Sequence, residues 1–363
     1  MPYLVREHLF IGNISDAAEI LQHGSEEITH ILSVLSSASI SFFSEWRSGL
    51  VIPTKEIDKV YFGGNESEGN TADESNTSVS PKKLLYSLEF AGKDLKFVRM
   101  AVPLRDMENE NLLDSLDVCL DFIEESRKKG SVLVHCFAGV SRSASIVAAY
   151  LMRSEQLSYE DAIQSLCQSC ESVSPNDGFV DQLKMFEEMG FKVNRASPTY
   201  KRFHLKLLGE CYNRGETIDA SKFAEDPALP TKKLSSLVTD EPLSREACPT
   251  QAYRCKKCRR VVAVQDNVID HVPGEGETAF GWSKRRSGRP FEKADDDECS
   301  SIFIEPLQWM KSVGEGALEG KLCCIHCEAR LGYFNWSGIQ CSCGSWITPA
   351  FQLHKSRVDV STL

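Results

Sequence analysis

The chain has 363 residues, 42% hydrophobic and 26% charged, with a formal net charge of -11 at pH 7, and this length favours two domains. No segment approaches the ~20 consecutive apolar residues that a membrane-spanning helix requires. The acidic balance gives no case for direct, sequence-specific nucleic-acid binding, and the opening MPYLVREHLFIG lacks the pattern of a secretory signal. An intracellular, reducing setting is therefore expected, in which the 14 cysteines serve metal binding or catalysis rather than disulfides.

In chain order, HLFIGNISDAAEILQHG predicts a strand, a turn and a helix capped by Ser15, and ITHILSV predicts a second strand. Residues 36–83 are rich in Ser, Asn, Glu and Gly, notably FGGNESEGNTADESNTSVSP, and are expected to form a disordered insertion because they bury little apolar surface. LKFVRMAVPL is a strand running into a loop, and ENLLDSLDVCLDFIEESRKKG carries apolar residues at helical spacing up to a glycine stop. The continuous apolar run SVLVHC reads as a buried strand, and ASIVAAYLMRSE as a helix with small residues for close packing. YEDAIQSLCQSC and PNDGFVDQLKMFEEMG add two helices, so the expected architecture is an α/β sandwich ending near Val193. Residues 194–250 are read as a helix, capped by Ser197 with Pro198 in its first turn, and a linker. A small β-rich domain, 251–363, follows, with a core too thin to stand without metal.

The segment His135-Cys136-Phe137-Ala138-Gly139-Val140-Ser141-Arg142-Ser143 joins the buried strand to the small-residue helix. The thiolate is the nucleophilic form of cysteine, and a helix N-terminus beside a cation favours it, so Cys136 is the candidate nucleophile. Backbone N–H groups from Phe137 through Ala138, Gly139, Val140 and Ser141 to Arg142 suit an anion cradle, with Gly139 supplying the conformational freedom such a nest requires. Arg142 offers a bidentate fork to equatorial phosphate oxygens. His135 is placed to fix the loop, and the Ser143 hydroxyl to assist departure of the thiolate. A bare Cys-x5-Arg pattern is common by chance; the flanking His, Gly and Ser between an apolar strand and a helix set this one apart.

HCFAGVSRS resembles the signature of the protein tyrosine phosphatase superfamily, and with LFIGN, ITHILSV and PNDGF the region 1–193 resembles dual-specificity phosphatases. The resemblance implies a phosphatase-like sandwich, phosphoprotein substrates bearing phosphotyrosine or phosphoserine/threonine, and no cofactor in the catalytic step. Expelling an alkoxide or phenoxide requires a proton donor. Asp106 in VPLRDMENEN, 30 residues before Cys136, occupies the position the family gives its general acid, with a solvated loop aspartate as the competing reading.

Cys255-x-x-Cys258, Cys324-x-x-Cys327 and Cys341-x-Cys343 are three pairs within ~90 residues, strong evidence for thiolate-bound zinc with four ligands per closed structural site. Six thiols exceed one tetrahedral ion, so Cys299 and His271 are chosen to complete a second, with Cys248 in reserve. FIEPLQWM and LGYFNWSGIQCSCGSWITPAFQLHKSRVD resemble the tail of the atypical dual-specificity phosphatases that carry a zinc-binding domain. For that family the resemblance implies two structural zinc ions, a link to maturation of pre-ribosomal large subunit particles, and residence in cytoplasm and nucleus.

Overall fold

The computed structural model describes residues 1–62, 83–216, 218, 223–229, 251–272 and 299–362. Two units account for them, Met1–Asn194 and Arg195–Leu363.

The first unit runs β1 (Tyr3–Arg6), β2 (Leu9–Gly12), α1 (Ile14–His23), β3 (Ile28–Leu35), α2 (Ser41–Trp46), β4 (Thr54–Tyr61), β5 (Leu84–Ala91), β6 (Phe97–Pro103), α3 (Leu113–Lys129), β7 (Ser131–His135), α4 (Arg142–Glu155), α5 (Tyr159–Ser169) and α6 (Asp177–Glu188). Its strands form one sheet in the order β1-β2-β7-β3-β6-β5-β4. The centre, β2, β7, β3 and β6, is parallel. Antiparallel β1 flanks it on one side and β5 and β4 on the other. Every residue of β7 is buried, as a strand covered on both faces requires. Leu133 enters a core with Ile14, Leu21 and Phe43 from α1 and α2. Val132 and Val134, alternating with it, face the other layer, where α3 and α4 pack. This is the α/β sandwich expected from the alternation of strands and helices, and it delivers Cys136 to the carboxyl end of its central strand, where open parallel sheets bind ligands.

Two expectations are corrected here. The cap of α1 is Asn13, not Ser15: the Asn13 side chain accepts the N–H groups of Ser15 and Asp16 at 2.9 and 3.1 Å, and the Asp16 carboxylate accepts the Asn13 N–H at 3.0 Å. Residues 36–62, expected within a disordered insertion, instead form α2 and β4 and bury Phe43, Leu50 and Ile52 in the sheet's core. A composition taken over the whole stretch had masked this local apolar cluster. Residues 63–82 of the expected insertion lie outside the described residues.

The second unit contains α7 (Pro198–Asn213), β8 (Gln251–Cys255), β9 (Val261–Val264), β10 (Val268–Ile269), β11 (Ser301–Ile304), α8 (Lys311–Gly314), β12 (Glu319–Cys323), β13 (Arg330–Asn335), β14 (Ile339–Gln340), β15 (Trp346–Ile347), β16 (Ala350–His354) and β17 (Val358–Thr362). They make sheets ordered β10-β11-β16-β13-β12 and β17-β8-β9, with β14-β15 as a small hairpin. The region is β-rich, as expected, and the expected helix is α7, which packs into this unit's core. Leu205 and Leu208 of α7, with Ile218 and Phe223 beyond it, share one core with Phe303, Phe334 and Phe351. The sheet gains a covering helix this way. Ser197 caps α7 through the Tyr200 N–H at 3.1 Å, with Pro198 opening the helix.

Because Phe43 is fully buried, Phe43→Ala should destabilise the first unit by about 3–5 kcal/mol, the usual cost of emptying a phenylalanine site. Proteolytic susceptibility across a urea series measures this. An unchanged midpoint would mean that 36–62 does not belong to the core.

Candidate active site and metal centres

The loop after β7 is held from outside by its carbonyls. The Cys136 carbonyl lies 3.2 Å from Nδ1 of His135. The Phe137 carbonyl accepts the Ile14 N–H at 3.2 Å, and the Val140 carbonyl accepts the Ser174 N–H at 2.9 Å. A trans peptide is planar with its C=O and N–H opposed, so these three contacts turn the N–H groups of Phe137, Ala138 and Ser141 the other way, into the loop. Gly139 sits at φ 79°, and a Cβ there would lie 3.0 Å from the Gly12 carbonyl, so glycine meets both a conformational and a spatial requirement.

Cys136 is buried, and its Sγ accepts from the Gly139 N–H and the Ser143 O–H, each at 3.2 Å. Two donors converging on one sulfur suit a thiolate. Arg142 opens α4 nearly buried, with Nη1 donating to the Leu104 carbonyl at 3.2 Å and Nε 3.5 Å from Oδ2 of Asp106. Asp106 Oδ1 accepts the Ser141 O–H at 2.7 Å and the Asn176 side-chain N–H at 2.8 Å. Asn176 also caps α6 and gives its own backbone N–H to Ser141 Oγ at 3.2 Å. The structure thus brings Asp106 onto the same loop as Cys136, Ser141, Arg142 and Ser143. Asp117 and Asp121 of α3 pair with Arg153.

In the second unit the predicted ligands divide into two tetrads, Cys255, Cys258, Cys324 and Cys327, and His271, Cys299, Cys341 and Cys343, each with ligand atoms within 4.8 Å of one another. Cys255 and Cys327 sulfurs are 3.7 Å apart, and Cys258 and Cys324 sulfurs 3.5 Å. A tetrahedral site with Zn–S bonds near 2.3 Å would set them about 3.8 Å apart, so the first tetrad fits that ion. Cys341 and Cys343 are closer, at 2.8 Å. Within the clusters the thiols split: the Ala329 N–H and neighbouring thiols draw Cys327 down to about 7, while against burial the Ser301 N–H and Ser342 hydroxyl draw Cys299 to about 6. Cys323 is exposed and outside both tetrads, and Cys248 lies outside the described residues.

Residues 74–189 match the family model described as the dual specificity phosphatase, catalytic domain. The chain is 41% identical over 264 residues to dual specificity protein phosphatase 12 of Rattus norvegicus, covering 72% of this chain and 74% of that protein. It belongs to the dual specificity protein phosphatase 12 family. Tyrosine-protein phosphatase YVH1 of Saccharomyces cerevisiae is 31% identical over 359 residues, covering 97% of this chain and 89% of that protein. The crystal structure of the Yvh1 phosphatase domain from Chaetomium thermophilum aligns at 21% identity and TM-score 0.34 over 52% of this chain and 97% of that one.

In this dual-specificity phosphatase, sequence reasoning missed the neighbours that aim the loop. Ser33 and Arg99 lie behind His135, and Asn176 holds Asp106. An arginine inside the apolar run KFVRMAV was the available signal for the former. For Asn176 there was only its place in PNDGF. Burial, then the adjacent Arg99 charge, pushes His135 down to about 3.

An unfolded imidazole titrates near 6.5, so between that pH and about 3 the unfolded chain binds a proton that folded His135 does not. The associated stability is complete above pH ~6.5 and is lost as pH falls through this window. Below pH 6 the wild-type first unit should therefore lose stability more steeply than His135→Asn, by about 1.4 kcal/mol per pH unit. Hydrogen exchange of β7 amides against pH reads this difference; parallel slopes would show that folded His135 takes up the proton.

Proposed function

We propose that this phosphatase hydrolyses phosphotyrosine and phosphoserine/threonine in proteins through a phosphocysteine intermediate. The observation that carries the reading is the convergence of Gly139 N–H and Ser143 O–H on the Cys136 sulfur, beneath a carboxylate, Asp106, hung from the loop's own Ser141. In the first step the Cys136 thiolate forms a P–S bond, the ester P–O bond breaks, and Asp106 gives its proton to the leaving oxygen. Charge growing on the equatorial oxygens is met by the inward N–H groups of Phe137, Ala138 and Ser141 and by the Arg142 fork. In the second step water attacks phosphorus, Asp106 takes the water's proton, and the P–S bond breaks with Ser143 donating to the departing thiolate.

On p-nitrophenyl phosphate and on a phosphotyrosine peptide, Cys136→Ser should abolish turnover. Asp106→Asn should lower kcat by about 10²- to 10⁴-fold, the usual contribution of a positioned acid. Full hydrolysis by Cys136→Ser would falsify the mechanism.

For the second unit we propose two structural zinc ions, one per tetrad, and a partner-binding role independent of hydrolysis. Support comes from the separation of eight donors into two groups of four and from the unit's own core. The four-donor sets leave no open position for chemistry, so zinc would stabilise the fold. Pre-ribosomal large subunit particles are the partner class proposed, and cytoplasm and nucleus, which keep thiols reduced, the location. Metal analysis of the purified chain should find about two zinc ions. Cys324→Ser with Cys327→Ser should remove one and leave the other, and a chain with one ion or none before mutation would refute the assignment. Cosedimentation of Cys136→Ser with large-subunit precursors, lost on truncation after Asn194, is the outcome expected for the partner.

A further inference from the structure

Four side chains on neighbouring strands form a polar row within an apolar sheet face: Glu89 on β5, Arg99 on β6, Ser33 on β3 and His135 on β7. Register sets Glu89 opposite Arg99 and Ser33 opposite His135. Arg99 is fully buried. Its Nη1 pairs with the Glu89 carboxylate and lies 3.3 Å from the Ala38 carbonyl, and its Nε donates to Ser33 Oγ at 2.8 Å. Ser33 Oγ is 2.7 Å from His135 Nε2, and His135 Nδ1 is 3.2 Å from the Cys136 carbonyl. The Phe43 ring closes over the row, its centroid 5.9 Å from the His135 ring and 5.6 Å from the Arg99 guanidinium.

Donor and acceptor chemistry fixes the direction of every link. Arginine only donates, so Ser33 Oγ accepts from Arg99 and has its own hydrogen left for His135 Nε2. A carbonyl only accepts, so Nδ1 must carry the imidazole hydrogen. Both ends of the ring therefore demand one neutral tautomer, with the proton on Nδ1. A second proton on Nε2 would face the serine's hydrogen and bring a second cation toward Arg99.

We propose that Arg99 and Ser33, anchored by Glu89, are positioning residues of the catalytic loop, locking His135 in its Nδ1–H tautomer so that it holds the Cys136 carbonyl and turns the Phe137 N–H toward the bound phosphate. The kinetic part rests on the proposed role of Cys136. Without the Ser33 hydroxyl, Nε2 loses its donor and the ring is held at the Cys136 carbonyl alone, free to tilt. A ring tilted away from the Cys136 carbonyl would release that peptide and let it turn out of line. Misplacement of about 1 Å in a catalytic group can cost about 100-fold in rate.

The test uses the full-length chain labelled with ¹⁵N-histidine, with the His135 resonances identified by their absence in His135→Asn. Wild type at pH 7 should show a protonated Nδ1 and an unprotonated Nε2 at this residue. Ser33→Ala should shift the Nε2 resonance to that of a nitrogen without a hydrogen-bond donor and lower kcat on p-nitrophenyl phosphate by about 10- to 100-fold, with circular dichroism unchanged. Ser33→Thr, which keeps the hydroxyl, should restore both. Arg99→Lys, which loses the fork, should behave like Ser33→Ala where it folds, and Ser33→Ala decides the matter where it does not. An unchanged nitrogen pattern in Ser33→Ala overturns the proposal, and so does an altered pattern with unaltered kcat. A wild-type chain without hydrolysis would sink the role of Cys136 instead, and the nitrogen pattern separates the two failures because it needs no turnover.

Discussion

A planar peptide cannot aim its N–H without aiming its C=O the opposite way, and the catalytic loop depends on that constraint. For N–H groups to converge on an anion, the carbonyls behind them need donors outside the loop, since a buried carbonyl left without one is costly. Each donor comes from a different part of the first unit: the His135 ring at the end of β7, the first residue of α1, and Ser174 ahead of α6. The sheet and helices thus serve the loop mainly by bringing three donors to three carbonyls. α4 then begins at Arg142 and adds the favourable end of its dipole to the same cavity.

Cysteine chemistry in this chain is set by what surrounds each sulfur. Cys136 meets an N–H and an O–H, donors that favour a charged sulfur. Cys119, fully buried in α3, is pushed well above the ordinary thiol range by desolvation and is inert at neutral pH. The sulfurs of Cys255, Cys258, Cys324 and Cys327 lie against one another. Four such thiols cannot all ionise together without a cation, whereas a divalent ion reverses that balance by favouring thiolates. One residue type thereby serves as nucleophile, core side chain and metal ligand, and the neighbours make the distinction.

Contiguous features were legible from sequence. His135 to Ser143 is a single loop, and its strand and helix appear as an apolar run followed by small residues. Six of the eight metal ligands were legible as pairs, because a Cys-x-x-Cys or Cys-x-Cys turn is local. Their assortment was not, since Cys255, ending β8 of one sheet, meets Cys327, between β12 and β13 of another, across 72 positions. Residues 36–62 were misjudged because a polar average over a long window conceals Phe43, Leu50 and Ile52, whose burial depends on a sheet assembled from elsewhere in the chain. The cap of α1 was misplaced because Asn13 and Ser15 are both good caps by type, and only the reciprocal bond with Asp16 distinguishes them. Ser33 and Glu89 were invisible for a related reason: alone on their strands they are ordinary polar residues, and their meaning arises from register.

Arg99 brings these strands together at a cost. Burying a guanidinium is expensive, and an Arg–carboxylate pair in a core is often no more stable than an apolar replacement. Desolvation lowers the Arg99 pKa while Glu89 opposes that shift, as expected for a cation retained by its partner. Stability alone therefore gives weak reason to keep it. A directed chain of donors gives a better one, because an apolar side chain at 99 would leave Ser33 without the partner that sets its hydrogen, and His135 Nε2 without a fixed donor. The same pair explains why α2 and the chain before it are ordered. Phe43 covers the guanidinium, and Ala38 supplies it a carbonyl, so a segment of mostly polar composition is held in place by the charge that also organises the back of the catalytic loop.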